Sequence, residues 1–307
     1  MYKKLTFTII LILSSIVASC SNQNSFQNSL LSYEHLSSIN YKGEDGDTSL
    51  ISASYNGDLE LVKYLVDNGA DINNKDKDGD TALMLASYRG HSEVVKYLIE
   101  NKANINNRNK YNLTALMYAS YNGHLEVVQY LIENGANIND IMEYDGRTVL
   151  MRALENNIEI VKYLVENGAD VNAKNKDGDT VLMRASEYGN IDIAKYLVEN
   201  GADVNAKNKE GDTALIMGAS KLNVVVSGYE NIEIVKYLVE NGADVNSKNK
   251  EGCTALMEAS YDGDFEVVKY LVENGADVNA KDNIGWTSLT YASAEEIRKI
   301  LLEAGAK

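Results

Sequence analysis

Apolar residues recur along this chain at spacings that predict pairs of short helices. Within residues 76–105, Leu83 and Ala86 recur at the spacing of one helical face. A second apolar stripe with helical spacing follows after a turn and consists of Val94, Val95, Leu98 and Ile99. Gly90 marks the turn between the two stripes. We therefore predict two short helices that are joined by a tight turn.

Residues with strong terminal preferences mark the ends of both helices. Asp78 and Gly79 form a turn shortly before Thr81, whose hydroxyl can accept a hydrogen bond from an otherwise unpaired helical amide. Most second helices end in Asn-Gly-Ala, and glycine suits the left-handed backbone position that follows a helix. The glycines of this position are Gly69, Gly135, Gly168, Gly201, Gly242 and Gly275. The helix boundaries are thus predicted from local signals alone.

The same unit recurs along most of the chain. The capping threonine reappears as Thr48, Thr81, Thr114, Thr148, Thr180, Thr213, Thr254 and Thr287. The successive spacings are 33, 33, 34, 32, 33, 41 and 33 residues, and a nearly fixed period in this range indicates a solenoid. A two-helix unit cannot bury its apolar stripe alone, so each unit needs neighbours. We predict about eight stacked units.

The repeated residues resemble the ankyrin repeat. The matching segments are Asp-Gly-Asp-Thr-Ala-Leu-Met at 78–84, Gly-His-Leu-Glu-Val-Val at 123–128 and Asn-Gly-Ala-Asp-Val-Asn at 167–172. The resemblance covers residues 40–306 and implies an all-α ankyrin-repeat solenoid of about eight helix-turn-helix units with β-hairpin-like loops. The family's Thr-Pro-Leu-His helix start appears here as Thr-Ala-Leu-Met or a close variant, in a chain without proline.

Three internal units and the last unit depart from the pattern. Lys102 replaces the glycine after the second helix, which predicts a left-handed lysine at a cost of about 1 kcal/mol. The fourth unit has 155–157 in place of the glycine between its helices. The sixth carries extra residues at 221–228, whose valines either pack against the helices or form an exposed apolar bump, and we favour packing. The last unit is short, and 294–306 is expected to serve as a polar cap.

Residues 1–19 resemble a bacterial lipoprotein signal peptide. Two lysines precede the apolar run 5–17, which is shorter than the about 20 residues that a membrane span needs. The ending Val-Ala-Ser-Cys resembles a lipobox, so Cys20 is the predicted lipidation site. An uncleaved anchor, or an ordinary signal with a chance cysteine, is the alternative. We expect an exported protein that is lipid-anchored to a bacterial membrane, either in the periplasm or at the cell surface.

The segment after the signal is polar and of low complexity. It cannot bury enough apolar surface to fold alone, so 20–40 is interpreted as the lipidated cysteine and a flexible tether, with a possible leading helix at 26–40. Residues 41–307 then form the ankyrin-repeat domain. Cleavage would leave 27 basic and 45 acidic residues, a formal net charge of −18. Such a surface repels phosphate backbones, so nucleic acid is not expected as a partner.

Candidate chemistry is sparse. The loop 74–80 has the oxygens of a calcium loop but lacks its bidentate glutamate, while His91 and His124 alone are too few ligands for zinc. Cys253 is interpreted as an inert surface or turn residue. Carboxylates recur at solvated positions of every unit and offer no unusual environment for acid–base chemistry. We expect no catalysis, no metal, no cofactor and no small-molecule substrate.

The resemblance places partner binding in a concave groove lined by hairpin tips and first helices. Tyrosine and arginine are common interface hot spots, and they concentrate in the central units. The predicted contact residues are Tyr88, Tyr111, Leu113, Tyr118, Tyr121, Arg147, Arg152, Arg184, Tyr188 and Tyr261. We expect the tyrosines to supply contact area and the arginines to pair with an acidic group of the partner. Alternatively, the arginines pair with Glu155, Glu187 or Glu258 of the chain itself.

The leading functional hypothesis is a protein-interaction scaffold held at the envelope by the lipid on Cys20. The alternatives are an accessory factor that supports a periplasmic enzyme, as in oxidative-stress defence, and a surface-displayed binder of host proteins. Toxin neutralisation and catalysis by a hidden hydrolase site are two further alternatives. The repeated, solvent-facing carboxylates argue against the hydrolase, because it would need strongly coupled polar groups in a closed pocket.

Overall fold

The computed structural model of the 307-residue chain describes Ile39 and residues 42–43, 45–154, 158–220 and 230–307. Within these residues the chain forms sixteen helices that follow one another as eight pairs. The first helices of the pairs are α1 (Ser49–Asn56), α3 (Ala82–Arg89), α5 (Ala115–Tyr121), α7 (Val149–Ala153), α9 (Val181–Glu187), α11 (Ala214–Ala219), α13 (Ala255–Asp262) and α15 (Ser288–Tyr291). The second helices are α2 (Leu59–Asp67), α4 (Ser92–Glu100), α6 (Leu125–Glu133), α8 (Ile158–Glu166), α10 (Ile191–Glu199), α12 (Glu230–Glu240), α14 (Phe265–Glu273) and α16 (Glu295–Glu303).

The capping threonines begin the first helices as predicted. Thr114, for example, is extended (φ −113°, ψ 166°), and its Oγ1 accepts a hydrogen bond from the backbone N–H of Met117 at 3.3 Å. Glycine after the second helix adopts the left-handed conformation, with φ +91° at Gly135. Lys102 occupies the same position in its unit with φ +71°, so the expectation of a left-handed lysine is confirmed.

The core runs through the whole array. Val94, Val95 and Leu98 of α4 are at most 1% exposed, and Leu83 and Met84 of α3 are buried as deeply. First helices pack on the first helices of neighbouring units, and second helices pack on second helices. Because each apolar stripe is covered by the next unit, the units share one continuous hydrophobic core.

Polar contacts also join the units. At the hairpin tips the N–H of Lys110 donates to the carbonyl oxygen of Asp78 at 2.9 Å, and the N–H of Lys176 donates to that of Asp145 at 2.8 Å. After the second helices, the side-chain oxygen of Asn106 accepts from the N–H of Asn137 at 2.9 Å. Since equivalent bonds recur along the array, neighbouring units are held in one register.

The loops that precede the first helices are hairpin-like, as expected. The N–H of Asp76 donates to the carbonyl oxygen of Asp80 at 3.0 Å, which closes the loop. The described ranges contain isolated β-bridges, such as Lys42 with Thr48, and no longer strand. None of the helices in those ranges is long and apolar enough to cross a membrane. Cys20, the possible leading helix, 155–157 and 221–228 lie outside the described residues.

Candidate partner-binding surface

The first helices and the tips that precede them form one surface, which we call the first-helix surface. Most of its side chains come from three positions of each unit: one residue before the capping threonine, four residues after it and seven residues after it. The residues four after the threonine are Ser52, Leu85, Tyr118, Arg152, Arg184, Met217, Glu258 and Tyr291. The scaffold beneath is nearly constant, so the chemistry of this surface varies from unit to unit.

Arg152 and Tyr121 come together across two units. The guanidinium carbon of Arg152 lies 3.9 Å from the centroid of the Tyr121 ring, and both residues are partly exposed. A cation above an aromatic face is attracted by the ring quadrupole, with about 0.5–1 kcal/mol at exposed sites. The structure therefore places two of the predicted contact residues in one pair at the centre of the array.

Two other predicted arginines already have acidic partners inside the chain. Arg184 forms an ion pair with Glu187 at 2.5 Å, donates to the hydroxyl of Tyr188 at 2.6 Å and lies over that ring. Arg147 pairs with Asp145 at 3.0 Å. The alternative that the chain's own Glu187 pairs with an arginine is thus confirmed for Arg184. Its charge is compensated before any partner arrives.

Tyr118 and Leu113 are less exposed than we expected for residues that contact a partner. Both are only partly exposed and pack against the core. The Tyr118 hydroxyl donates to Asp80 at 3.2 Å, and the Asn109 amide donates to the same carboxylate at 2.8 Å. Burial, followed by the Asp80 charge, raises the pKa of Tyr118 above its ordinary value. Tyr118 thus links neighbouring units and offers a partner little free polar surface.

Three of the predicted tyrosines are well exposed. Tyr111, Tyr261 and Tyr88 expose 53%, 65% and 37% of their surface. The Tyr88 ring lies parallel to that of Tyr55, with centroids 6.5 Å apart, and meets the Tyr118 ring edge-on at 5.6 Å. These tyrosines offer apolar contact area to a binding partner.

The sequence-based selection omitted several exposed aromatic residues. Tyr55 occupies the same repeat position as Tyr88, and Arg89 lies 5.1 Å from its ring centroid. Tyr144 and Trp286 are 85% and 47% exposed near the hairpin tips. Repeat position was the available signal, because Tyr55 lies seven residues after a capping threonine, as Tyr88 does, and Trp286 lies directly before one, as Leu113 and Arg147 do.

A cavity of about 480 Å³ opens at the amino-terminal end of the first-helix surface. Ile51, Tyr55 and Leu85 form its apolar walls, and Asp47 and Asp76 add carboxylates. Burial raises the pKa of Asp47, and the neighbouring charges of Asp76 and Asp45 raise it further. The cavity therefore favours a cationic or neutral group over an anionic one.

The candidate metal ligands have structural roles. In the loop 74–80, Asp76 Oδ1 accepts from the backbone N–H groups of Asp78 and Asp80 at 2.9 and 2.8 Å. The His91 ring lies against Gly57, and its Nε2 is 3.0 Å from the Tyr55 carbonyl oxygen. The part of the chain that the structure describes holds no group of three or more His, Cys, Asp or Glu suited to a metal.

Cys253 is buried rather than on the surface. It is 7% exposed, and its sulfur lies 4.0 Å from the hydroxyl of Tyr291. Burial raises the pKa of the thiol, and the nearby carboxylates Glu258, Asp282 and Glu251 act in the same direction despite the Tyr291 contact. A raised pKa lowers the thiolate population and so the reactivity of the group.

Comparisons with known proteins agree with this architecture. A family model described as ankyrin repeats (3 copies) matches the chain at residues 15–109, 50–142, 105–175, 150–249 and 222–307. The chain is also 58% identical over 33 residues to the serine/threonine-protein kinase TNNI3K of Mus musculus and to that of Rattus norvegicus. Each of these matches covers 11% of this chain and 4% of the kinase.

The kinase matches carry no argument about catalysis, because 33 residues equal one repeat period and leave nearly all of each kinase unmatched. The family model, in contrast, overlaps every unit from the first to the eighth. Paired helices, threonine caps, left-handed glycines and a shared core recur in the same order. This chain belongs to the ankyrin-repeat family.

Proposed function

We propose that this protein is a non-catalytic protein–protein interaction scaffold that a lipid on Cys20 tethers to the bacterial envelope. Membership of the ankyrin-repeat family supports protein binding as the general role. The observation that carries the proposal is the exposure of aromatic side chains on the first-helix surface, where Tyr88, Tyr111 and Tyr261 are solvent-accessible. Exposed aromatic groups above a rigid scaffold are typical of protein interfaces.

The proposed binding region is the groove along the first-helix surface, with the Arg152–Tyr121 pair at its centre. Arginine and tyrosine are the residues that most often dominate interface energetics. A partner that covers the pair would exclude water from a preformed cation–π contact. Arg147 and Arg184 are already paired with acidic residues of the chain. We therefore expect apolar contact area in this region to contribute more to the affinity for a partner than these two charges do.

The same geometry favours binding over catalysis. An exposed carboxylate recurs in the first turn of the second helices, as Glu93 and Glu126 illustrate, and these two share the ammonium of Lys96. A general acid or base needs an unusual environment that sets its pKa near the working pH. Repetition supplies nearly the same solvated environment many times, which suits a scaffold.

The envelope tether rests on the sequence of the first 20 residues. Basic residues, an apolar run and small residues before Cys20 follow the order of a lipoprotein signal. A single acyl chain gives only weak, reversible membrane binding, whereas the two or three chains of a mature lipoprotein anchor hold a protein at the bilayer. The acidic repeat domain would then face an aqueous compartment at the membrane surface.

Alanine at Cys20 tests the tether. We expect metabolic labelling with a fatty-acid analogue to mark the native protein and not the Cys20→Ala variant, because the thiol is the proposed attachment atom. Labelling is read after electrophoresis of the immunoprecipitated chain. Cys253→Ala is the matched control and should label like the native protein, since Cys253 is buried in the repeat domain. Equal labelling of native and Cys20→Ala protein would contradict the tether.

Alanine at both Tyr121 and Arg152 tests the groove. Cross-linking in intact cells followed by mass spectrometry first identifies the captured partner, and purified protein then gives its affinity. We expect the double substitution to weaken that affinity at least tenfold, since hot-spot truncations cost about 2 kcal/mol or more. Tyr64→Ala is the control, because Tyr64 is 45% exposed on α2, away from this surface. Unchanged affinity in the double variant, or an equal loss in Tyr64→Ala, would show that the partner binds elsewhere.

A further inference from the structure

The carboxy-terminal end of the first-helix surface holds three aromatic side chains and one carboxylate. We call this group the carboxy-terminal corner, and its members are Glu258, Tyr261, Trp286 and Tyr291. The Tyr291 ring meets the Trp286 ring at a centroid distance of 5.4 Å and the Tyr261 ring at 6.3 Å, both edge to face. Trp286 is 47% exposed and Tyr261 is 65% exposed. Aromatic side chains that are exposed together in one patch are typical of interaction surfaces.

Glu258 brings a carboxylate to this corner. It is half-buried on α13, one helical turn before Tyr261. Burial raises its pKa, and the negative charges of Asp262, Asp212 and Glu251 raise it further. Within the described parts of the chain, its electrostatic neighbours are thus acidic, and no cation of those parts is paired with it. An added cation would relieve both the repulsion and the cost of partial burial.

The fifth unit shows that a guanidinium on this surface can lie against a tyrosine ring and pair with a carboxylate at the same time. Arg184 occupies the same repeat position as Glu258, and its guanidinium lies 5.0 Å from the Tyr188 ring centroid while it pairs with Glu187. The chain thus combines a tyrosine face, a carboxylate and a guanidinium in one unit. In the seventh unit the tyrosine and the carboxylate are present, but among the described residues no arginine pairs with Glu258, and Arg298 of the next unit donates to the Leu289 and Ala292 carbonyl oxygens instead.

We infer that the carboxy-terminal corner binds an arginine side chain of the partner protein. The inference rests on the proposed function and names the chemistry of the partner that it requires. A guanidinium can stack on the Tyr261 ring while it donates two hydrogen bonds to the Glu258 carboxylate, because the two side chains are neighbours three residues apart on α13. Lysine fits less well, because its ammonium is a strongly hydrated point charge that cannot stack in a plane. The formal net charge of −16 also attracts a basic segment from a distance.

Trp286 provides a local reporter, because it is the only tryptophan of the chain. The full-length protein in detergent is titrated with the capped peptide Gly-Gly-Arg-Gly-Gly while tryptophan emission is followed. Two matched peptides replace arginine with lysine or with neutral citrulline, which keeps the shape of the side chain. We expect a saturable change with arginine, a response roughly tenfold weaker with lysine, and none with citrulline at the same concentrations. Equal responses to arginine and citrulline would overturn the inference.

Glu258→Gln removes the proposed charge partner and keeps the size of the side chain. We expect it to weaken arginine-peptide binding roughly tenfold while the midpoint of urea unfolding stays close to that of the native protein. Glu266→Gln is the control, because it removes the same charge from an exposed position on α14 of the same unit. Tyr261→Leu is a second variant and should also weaken binding. Unchanged binding in both Glu258→Gln and Tyr261→Leu would refute the corner as an arginine site.

The test separates this inference from the proposed function. Tyr121 and Arg152 lie on the third and fourth units, whereas the corner lies on the seventh and eighth. Loss of partner capture in the central variants, together with an unresponsive Trp286, would leave the scaffold standing and reject the arginine site. Arginine-specific emission changes that depend on Glu258 would support the site irrespective of the central pair.

Discussion

Replacing Leu131 with alanine should lower the free energy of unfolding by about 2–5 kcal/mol, the range seen for leucine truncation in well-packed cores. Leu131 is fully buried on α6, and α6 packs between α4 and α8. Two terms add up in this loss of stability: the transfer free energy of the removed apolar atoms, and the cost of the cavity that remains because the surrounding core relaxes only partly. Because units of an array depend on their neighbours, a weak third unit also loosens its contacts with the second and with the fourth.

Urea unfolding followed by far-ultraviolet circular dichroism measures this loss. Leu302→Ala is the matched control, because Leu302 is 55% exposed on α16 of the terminal unit and should change stability by at most about 0.5 kcal/mol. The Leu131 variant should unfold at lower urea or show a broader transition, which would reveal partial uncoupling of the array. Coincident curves for the native and Leu131→Ala proteins would contradict a shared core.

Local signals made most of the fold predictable. Threonine before each first helix, glycine after most second helices and helical apolar stripes each specify their own element without reference to distant residues. Repetition then supplied the tertiary contacts, since a stripe that recurs every 33 residues or so must pack on its own copy. Lys102 illustrates the strength of this reasoning: its position in the repeat predicted a positive φ despite its side chain.

The pairing of surface side chains was less predictable. Arg184 had several acidic candidates, and only the geometry of α9 shows that Glu187, three residues away, is its partner. Tyr118 was assigned to a partner because of its residue type, but its hydroxyl bonds Asp80 of the preceding unit. Such contacts depend on the side-chain rotamers and on the exact offset between neighbouring units. A pattern of residue types specifies neither. Aromatic exposure at Trp286 was likewise visible only after packing was known.

Replacing Gly252 with alanine should destabilise the array more than the same change at Gly275, although both glycines have left-handed backbones. Their φ values are +83° and +88°, so the conformational strain of an added methyl group is about 1 kcal/mol at either site. At Gly252 the new Cβ would lie 2.9 Å from Asp282 Cα and 3.0 Å from the backbone nitrogen of Asn283 in the next unit. At Gly275 it would meet no atom within 4 Å.

The difference between the two variants therefore isolates the contact between hairpin tips. Relief of the clash at Gly252 requires the next backbone to move, which weakens the 2.9 Å hydrogen bond from the Asn283 N–H to the Glu251 carbonyl oxygen. We expect Gly252→Ala to lose about 1–3 kcal/mol more than Gly275→Ala in urea unfolding, the usual cost of overpacking. Hydrogen exchange at the Asn283 amide should rise in that variant alone. Equal losses would mean that neighbouring tips are farther apart than these distances, and that apolar helix packing alone sets the register of the units.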